Sequence, residues 1–404
     1  MNVTIFPSAA RGAVKAPASK SVAHRMMIGA ALARGESVLR GVEESEDMLA
    51  TLDCITALGA AYEKDGDTLT VHGVGGNLSR STGRFPCRES GSTLRFFVPL
   101  ALLREGRSVF TGSERLMVRG ADVYGQVFAG KGIAMEKSPE GVAFTGKLIP
   151  GDYAVRGDIS SQYITGLLLA LPLTGGDCTL TVLSPVESRP YIDITLGVLR
   201  RFGIAVTEAR ENEFLISPGA YGATETEVEG DWSNAAFFFA LNALGGHVTV
   251  AGLSPDSLQG DRVCADLLEQ LKTGFCEVDI AGTPDLGPVL FAAAAALHGG
   301  RFTGTRRLAI KESDRAAAMA GELAKCGVKT EVEENAVTVF PGGLTKPTEP
   351  LYGHNDHRIV MALAVLLTQT GGVIEGAEAV KKSFPGFFAE LAKTGVDLKT
   401  KEER

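Results

Sequence analysis

The sequence predicts an α/β fold of two pseudo-symmetric domains, each containing three βαβαββ repeat units. Three observations predict it: a helix–glycine–strand pattern that occurs six times, a nearly constant distance between its copies, and polar residues that gather where the helices begin. Internal repeats dictate architecture, and a copy of about 70 residues is too long for a solenoid and suits a small αβ supersecondary unit.

The repeat consists of an amphipathic helical run, a glycine and a strand-like stretch, as in "LPLTGGDCTLTVLSP" and "NALGGHVTVAGLSP". The glycines before the strands are evenly spaced except for one shorter step, between the fourth and the fifth: Gly35, Gly106, Gly176, Gly246, Gly300 and Gly372. Glycine after a helix suits a left-handed C-terminal cap. Within each copy we predict the order helix, strand, helix, strand, strand. Residues 1–18 with 230–404 are expected to form one domain, and residues 19–229 the other.

Composition excludes several classes of protein. The 404 residues are 45% hydrophobic and 22% charged, and the net charge of −8 argues against a broad nucleic-acid surface. No apolar run approaches the ~18 residues of a membrane span, and the N-terminus lacks the apolar core of a signal peptide. The six cysteines never form a C-x-x-C pair, which is typical of thiols in a reducing compartment. We therefore expect a cytoplasmic protein, a monomer, with no membrane or nucleic-acid partner.

Polar residues gather at the predicted helix starts, for example in "PASKSVAHR", "GDISSQY" and "KESDR". N-capping alone would explain Ser19, Ser160, Ser233 and Asp231. It does not explain cations, because positive charge at a helix N-terminus opposes the helix dipole. We expect the first two helical turns to hold Lys20, Arg25, Arg95, Arg119, Lys311, Arg315, Arg358 and Lys382.

A helix N-terminus with Lys or Arg is what a phosphate or carboxylate requires. Because the motifs occupy equivalent points of a repeat, two facing domains would bring them into one cationic cleft, where we predict the active site. A solvated, salt-bridged helix start remains the alternative for "KESDR", where Lys311 and Arg315 would repel each other four residues apart. They can tolerate each other if they share anionic ligands.

Two carboxylates stand within this basic set, Asp285 in "TPDLG" and Glu312 in "KESDR". Neighbouring cations would keep them ionised, as a general base requires, although either could be a cap or an ion-pair partner. The "HNDH" stretch at 354–357 makes a weak metal site, since two histidines lack a further ligand cluster. The sequence has no phosphate-binding loop and no convincing dinucleotide fingerprint.

The motifs together resemble one family. The segments "PASKSVAHR", "ESGSTLR", "GDISSQ", "SRPY", "TPD", "IKESDR", "NDHR" and "KSFP" are similar, in this order, to blocks of the 3-phosphoshikimate 1-carboxyvinyltransferases (EPSP synthases). The resemblance extends from Lys20 to Pro385. It implies an inside-out α/β barrel in each domain and an active site in the cleft between the domains. It also implies transfer of the enolpyruvyl group of phosphoenolpyruvate to the 5-hydroxyl of shikimate 3-phosphate, in aromatic amino-acid biosynthesis.

The resemblance also implies roles for individual residues. Shikimate 3-phosphate would be bound by Lys20, Ser21, Arg25, Ser160, Ser161, Gln162, Ser188, Asp285 and Lys311. Phosphoenolpyruvate would be bound by Lys20, Gly91, Arg119, Gln162, Arg315, Arg358 and Lys382. The catalytic residues would be Asp285, Glu312 and Lys20: Asp285 deprotonates the hydroxyl, Glu312 handles the proton at the methylene carbon, and Lys20 contacts both substrates. Arg and Lys would supply the electrostatic stabilisation, so neither a metal nor an organic cofactor would be needed, and the domains would close around the ligands.

Some positions depart from the family pattern: Glu89, Phe96, Gly120 and Arg307. They bear on substrate affinity and inhibitor response more than on the reaction type. Gly91 leaves room for glyphosate, so we predict sensitivity to that inhibitor.

Two alternatives stay open at this point. A UDP-N-acetylglucosamine enolpyruvyl transferase would share the fold, but its mobile-loop cysteine is absent from "FTGSERLMVRGADVYGQV". A non-catalytic anion-binding relative would have no need of both Asp285 and Glu312.

Overall fold

The computed structural model describes residues 1–401, apart from the side chain of Arg119, and the chain divides into two compact units. Unit 1 comprises Met1–Pro17 and Gly230–Arg404, and unit 2 comprises Ala18–Glu229. Unit 1 begins with β1 (Asn2–Ile5) and β2 (Arg11–Lys15).

Unit 2 follows as an alternation of helices and strands. Its elements are α1 (Lys20–Leu32), β3 (Arg34–Arg40), α2 (Glu46–Leu58), β4 (Ala61–Asp65), β5 (Thr68–Val74), β6 (Arg84–Pro86), α3 (Gly91–Ala101), β7 (Arg107–Thr111), α4 (Glu114–Arg119), α5 (Asp122–Val127), β8 (Ala134–Ser138), β9 (Gly141–Thr145), β10 (Gly151–Arg156), α6 (Ser161–Ala170), β11 (Cys178–Leu183), α7 (Arg189–Arg201), β12 (Val206–Arg210), β13 (Glu213–Ile216) and β14 (Glu225–Glu227).

The chain then completes unit 1. The remaining elements are α8 (Trp232–Ala243), β15 (His247–Ala251), α9 (Cys264–Thr273), β16 (Cys276–Asp279), α10 (Gly287–Ala296), β17 (Gly300–Thr303), α11 (Arg315–Lys325), β18 (Thr330–Val332), β19 (Ala336–Val339), β20 (Leu351–Tyr352), α12 (His357–Thr370), β21 (Gly372–Glu375), α13 (Phe387–Lys393) and β22 (Leu398–Lys401).

Unit 2 contains three four-stranded sheets of one topology. The strand orders are β14-β3-β5-β4, β6-β7-β9-β8 and β10-β11-β13-β12. In each sheet the first two strands are parallel and the other neighbours are antiparallel, with Gly151 opposite Cys178 in the third sheet. A parallel pair needs a crossover connection, here a helix, whereas antiparallel strands can be joined by a short turn. The predicted βαβαββ repeat is therefore confirmed in this unit.

Unit 1 repeats that topology twice, in sheets β16-β17-β19-β18 and β20-β21-β1-β22. The N-terminal strand β1 completes the last repeat by pairing antiparallel with β21 and β22. The remaining sheet has two strands, β15 parallel to β2. The repeat that starts with β2 thus ends after α9, without the final antiparallel pair. The predicted order of helix, strand, helix, strand, strand is therefore incomplete in this copy, which also has the shortest step between repeat glycines, from Gly246 to Gly300.

The first helix of each repeat forms the core of its unit. In unit 1, residues 287–295 of α10 and 357–368 of α12 are buried, and these two helices pack against each other. Each fully buried Val, Leu, Ile or Phe side chain stabilises such a core by about 1.5–3 kcal/mol. Among residues 1–401, no helix is both long enough and apolar enough to cross a membrane.

In unit 2, α3 packs closely against α6 at Gly166. A Cβ atom at this position would lie 2.3 Å from the Tyr124 hydroxyl and 2.4 Å from the Arg95 carbonyl oxygen. Only glycine lets the two backbones approach this closely. The same approach brings the first turns of α3 and α6 within hydrogen-bond distance: the Gln162 Nε2 atom donates to the Ser92 hydroxyl at 2.8 Å.

Candidate functional site

The starts of α3 and α6 in unit 2 are fixed by serine caps. The Ser160 hydroxyl accepts from the Gln162 amide at 3.3 Å, and the Ser90 hydroxyl accepts from the Thr93 amide at 3.3 Å. Ser160 is thus a cap, and Ser161 is the buried first residue of α6. The two predicted ligand-binding positions Gly91 and Gln162 begin neighbouring helices as a result.

Gln162 is held from both sides of its amide. Its Nε2 atom donates to Ser92, and its Oε1 atom accepts from the guanidinium of Arg95. Arg95 itself lies over the Tyr163 ring, 5.0 Å from the centroid. Arg95 was expected among the helix-start cations but was assigned no ligand, and the structure makes it the residue that orients Gln162.

Arg25 is buried inside unit 2. Its Nε atom donates to the Thr195 hydroxyl at 2.8 Å, and its Nη atoms donate to Ser21 O at 2.6 Å and to the Thr165 hydroxyl at 3.1 Å. Burial lowers the pKa of Arg25 to about 9. The guanidinium is thereby fixed by neutral oxygens, which leave its charge available to an anion. Phe96, one of the departures from the family pattern, packs beneath it at 5.0 Å.

Lys20 is the first residue of α1 and forms an ion pair with Asp47 in the first turn of α2. The Nζ and Oδ2 atoms are 2.8 Å apart, and both side chains are largely buried. Asp47 was not predicted as a site residue. Its position just after the cap Ser45 fits a helix-start carboxylate, and only the packing of α1 on α2 shows its partner.

Unit 1 gathers three cations around Asp285. Its Oδ1 atom lies 3.1 Å from Lys311 Nζ and 2.8 Å from Arg315 Nη1, and its Oδ2 atom lies 3.1 Å from Arg358 Nη2. Glu312 joins the group through Arg315 Nη2, at 2.7 Å. The structure therefore brings together five of the predicted residues, and each of the two predicted acid–base carboxylates contacts at least one cation.

Asp356 is a site residue that the sequence analysis missed. It is fully buried, and its Oδ2 atom accepts from Arg315 Nε at 2.9 Å and from the Ser313 hydroxyl at 2.9 Å. Its Oδ1 atom caps α12 by accepting from the Arg358 amide at 3.0 Å. In the sequence Asp356 is part of the weak metal-site candidate "HNDH", but its carboxylate holds an arginine instead.

These contacts make Arg315 the centre of a charge-balanced cluster, although it is 1% exposed. Burial alone would lower the pKa of Arg315, but the carboxylates of Asp356, Glu312 and Asp285 raise it above its ordinary value. Burial likewise opposes ionisation of Asp356, yet Arg315 lowers the pKa of that carboxyl below its usual range. In unit 1 the cations are matched by carboxylates, and an incoming anion would have to replace some of them.

Two other groups near Asp285 have displaced pKa values. Burial lowers the pKa of Lys311 to about 8, with Asp285 acting in the opposite direction and Arg315 adding to the lowering. Burial, and then the charge of Asp285, raises the pKa of Asp261 to about 7. Asp261 was also missed, because nothing in "QGDRV" distinguishes it from a surface carboxylate before the chain is folded.

The expected placement of every cation in the first two turns of a helix is wrong for Lys311 and Lys382. Lys20, Arg25, Arg95, Arg315 and Arg358 do lie in the first two turns of α1, α3, α11 and α12. Lys311 follows the short 3₁₀ helix Arg306–Ile310, and Lys382 ends the 3₁₀ helix Ala377–Lys382. Arg119, the sixth and last residue of α4, also lies within the first two turns of its helix, and its side chain lies outside the described part of the chain. Sequence periodicity did not separate these short turns from the α-helices that follow them.

The remaining predicted residues are placed as follows. Ser188 is buried and precedes α7 with a left-handed backbone, φ 59°, and Ser21 is the second residue of α1. Lys382 donates to the Asn355 carbonyl oxygen at 2.8 Å. Of the residues weighed as caps, Asp231 and Ser160 accept from amides of α8 and α6, whereas Ser19 makes no side-chain cap bond and Ser233 lies inside α8.

Comparison with known proteins gives a consistent result. Residues 6–391 match the sequence model of the family described as EPSP synthase (3-phosphoshikimate 1-carboxyvinyltransferase). The chain is 38% identical to the 3-phosphoshikimate 1-carboxyvinyltransferase of Clostridium kluyveri, with 98% of each chain covered. It is 37% identical to the protein of that name from Clostridium perfringens, with 97% of this chain and 98% of the relative covered.

A solved structure of an EPSP synthase from Acinetobacter baumannii superimposes with a TM-score of 0.79 at 24% identity, covering 98% of this chain and 99% of that one. At this identity the likeness shows the fold alone, and it confirms the predicted fold class.

Proposed function

Because the chain belongs to the EPSP synthase (3-phosphoshikimate 1-carboxyvinyltransferase) family, we propose that the carboxylates and cations gathered around Asp285 carry the chemistry of enolpyruvyl transfer. The enzyme transfers the enolpyruvyl group of phosphoenolpyruvate to the 5-hydroxyl of shikimate 3-phosphate and releases inorganic phosphate, a step of the shikimate pathway. The observation that carries the proposal is the arrangement of Lys311, Arg315 and Arg358 on one carboxylate.

The reaction moves protons at two positions, the 5-hydroxyl and the methylene carbon, which suits two carboxylates. Protonation of the methylene carbon of phosphoenolpyruvate makes its neighbouring carbon electrophilic, and the 5-hydroxyl attacks there as it loses its proton. Loss of a proton from the new methyl group then expels phosphate and restores the double bond. We assign the hydroxyl proton to Asp285. Glu312 enters the reaction as the carboxylic acid, gives its proton to the methylene carbon and takes one back from the new methyl group, since positioned carboxyl groups supply general acid–base catalysis.

We propose that phosphoenolpyruvate enters by exchange of ion-pair partners. Arg315 holds Asp285 and Glu312 through its two Nη atoms, which are donors that an incoming carboxylate or phosphate would also use. Asp356 keeps the Nε side of Arg315 in place meanwhile. Exchange would release both catalytic carboxylates from Arg315 at the moment that substrate binds. The other residues proposed to bind phosphoenolpyruvate are Lys382 of unit 1 and, in unit 2, Gly91, Arg119 and Gln162.

The residues that we propose for shikimate 3-phosphate come from unit 2, with Asp285 and Lys311 added from unit 1. Ser160, Ser161 and Ser188 would bind its phosphate, and Ser21 and Arg25 would bind its ring substituents and carboxylate. Lys20, held by Asp47, would contact both substrates, with Gln162 between the two ligands and Lys311 near the reacting oxygen. The fixed guanidinium of Arg25 supports this, since preorganised donors need no rearrangement when an anion binds.

We further propose that the enzyme works as a monomer in the cytoplasm. All six cysteines are free and five of them are buried, as expected for a protein kept in a reducing compartment.

The assay that tests the function follows phosphate release from phosphoenolpyruvate with shikimate 3-phosphate, and in parallel with UDP-N-acetylglucosamine, as acceptor. We expect release only with shikimate 3-phosphate. Release with the sugar nucleotide alone would reverse the acceptor, and release with neither would favour the anion-binding relative.

Asp285→Ala tests the acid–base assignment, with Asp279→Ala as the control. We expect kcat to fall about 10²- to 10⁴-fold, as for loss of a general base. Asp279→Ala, which removes an exposed carboxylate at the end of β16, should leave kcat unchanged. A full rate in Asp285→Ala would exclude the role assigned to Asp285.

A further inference from the structure

The segment Tyr352–Asp356, which joins β20 to α12, has an unusual backbone. His354 and Asn355 both have φ of 50°, in the left-handed region that side chains other than glycine rarely adopt. The turn is closed by the Asp356 amide, which donates to Gly353 O at 2.9 Å. Two successive residues in this region are strained, and such strain persists only where surrounding contacts impose it.

Glu322 on α11 supplies those contacts. Its Oε2 atom accepts from the Tyr352 amide at 2.9 Å, and its Oε1 atom lies 2.8 Å from His354 Nε2. The side chain is 4% exposed and also pairs with Lys325 at 3.0 Å. Burial opposes ionisation of Glu322, but the bonds from His354, Tyr352 and Lys325 lower the pKa of its carboxyl below the ordinary value.

The segment Tyr352–Asp356 also contacts the predicted phosphoenolpyruvate-binding cations. At its end, Asp356 binds Arg315 and caps the helix that carries Arg358. Within it, the Asn355 carbonyl oxygen accepts from Lys382 at 2.8 Å. Glu322 and Arg315 are two helical turns apart on one face of α11, so side chains of this helix contact the segment at both ends.

We propose that Glu322 is a positioning residue for phosphoenolpyruvate binding: by holding Tyr352 and His354 it fixes the segment that sets Arg315, Arg358 and Lys382. This inference rests on the proposed function, since it assumes that these three cations bind phosphoenolpyruvate. Glu322 acts on them through the segment Tyr352–Asp356, whose start it holds and whose end contacts the cations.

The test compares Glu322→Gln and Glu322→Ala with Glu349→Gln as a matched control. Glu349 also approaches Lys325, at 3.6 Å, but it is exposed. We expect the KM for phosphoenolpyruvate to rise about tenfold in Glu322→Ala and less in Glu322→Gln, which can still accept from the Tyr352 amide. The KM for shikimate 3-phosphate should stay within about twofold, and hydrogen exchange at 352–356 should accelerate. Glu349→Gln should match the parent enzyme in all three measurements.

Arg358→Ala separates failure of this inference from failure of the proposed function. If Arg358→Ala raises the KM for phosphoenolpyruvate while Glu322→Ala changes only thermal stability, Glu322 is merely structural and the inference is overturned. An equal rise of both KM values in Glu322→Ala would overturn it too. If Arg358→Ala leaves the KM for phosphoenolpyruvate unchanged, the assignment of Arg358 fails, and the inference fails with it.

Discussion

Arg315 and Lys311 have an ion-pair partner in the folded protein that their neighbours in sequence do not indicate. Four apart in "KESDR", they would repel each other on a helix. In the structure they share one partner, since Asp285 Oδ1 lies 2.8 Å from Arg315 and 3.1 Å from Lys311. Removing one partner of a buried ion pair is strongly destabilising, so this cluster needs its carboxylates as much as its cations.

Lys311 should make binding of shikimate 3-phosphate sensitive to pH. Its pKa of about 8 means that the free enzyme loses this charge as the pH rises through 8, although a fifth of the side chain is exposed. We expect kcat/KM for shikimate 3-phosphate to fall by up to about tenfold per pH unit above that value, because kcat/KM reports ionisation of the free enzyme. Measuring kcat/KM from pH 6 to pH 10 in buffers of constant ionic strength tests this.

Lys311→Arg serves as the comparison, since arginine stays charged throughout that range. Its kcat/KM is expected to be lower overall but without the alkaline decline, and an unchanged decline would assign it to another group. Lys311 has the opposite effect on the free energy of unfolding, which rises with pH. The unfolded lysine keeps its proton up to about pH 10.4, so this group contributes a rise in stability between pH 8 and that value.

At the scale of elements, the starts of α11 and α12 differ in what their caps do. Asp314 caps α11 from an exposed position, by accepting from the Ala317 amide at 3.1 Å. Asp356 caps α12 from a buried position and also holds Arg315. The capping role of Asp314 can be predicted from the sequence, since aspartate before an apolar run is an N-cap signal. The role of Asp356 requires that α11 and α12 lie side by side.

Asp356→Asn should therefore destabilise unit 1 far more than Asp314→Asn. Asparagine keeps the cap but leaves Arg315 without one of its buried partners, for which we expect a loss of about 3–5 kcal/mol in the free energy of unfolding. Asp314→Asn should cost less than about 0.5 kcal/mol. Urea unfolding followed by tryptophan fluorescence measures this in unit 1, because Trp232 is the one tryptophan of the chain.

Acid provides a second check on Asp356. Because its pKa is depressed in the folded protein, its stabilisation is present above the unfolded value of about 3.9 and is lost as the pH falls through the folded value. Equal losses in the free energy of unfolding of Asp356→Asn and Asp314→Asn would mean that the Arg315 contact contributes nothing beyond the cap.

At the scale of the whole molecule, strands distant in sequence complete the repeats. The strand β14 pairs with β3 in the first sheet of unit 2, and the N-terminal β1 pairs with β21 and β22 in the last sheet of unit 1. Each unit thus depends on a strand from the opposite end of its own sequence. Such pairs form late or slowly, because long loops must close before these contacts stabilise the fold.

The thiols of the whole chain should report on the integrity of both units. Cys54, Cys87, Cys178, Cys264 and Cys326 are buried, whereas Cys276 is partly exposed. We expect about one thiol to react readily with a chromogenic disulfide reagent in the native enzyme, because reaction requires an accessible thiolate. Burial raises the pKa of Cys326 to about 11, which suppresses its reaction further. All six should react in denaturant, and several fast thiols in the native enzyme would contradict the buried placement.

The repeat, the fold class and the family could all be predicted before the structure was known. Glycine spacing, helix periodicity and helix-start residues are local properties, set by the backbone over a few residues, so they are readable before folding. The same element order was predicted for every copy, and the reduced repeat that starts with β2 was not foreseen. The family and its reaction followed from the ordered blocks. The individual substrate contacts remain predictions.

Only the tertiary structure decided which groups surround the catalytic candidates. Asp47 contacts Lys20, Asp356 contacts Arg315 and Glu322 contacts His354, and each pair is joined across a long stretch of sequence. Periodicity cannot report such pairs, because they depend on which helix faces meet. Capping, surface solvation and ion pairing all use the same residue types, and burial is what separates them: inside the protein an unpaired charge is too costly to persist, so Asp356 must have a cation beside it.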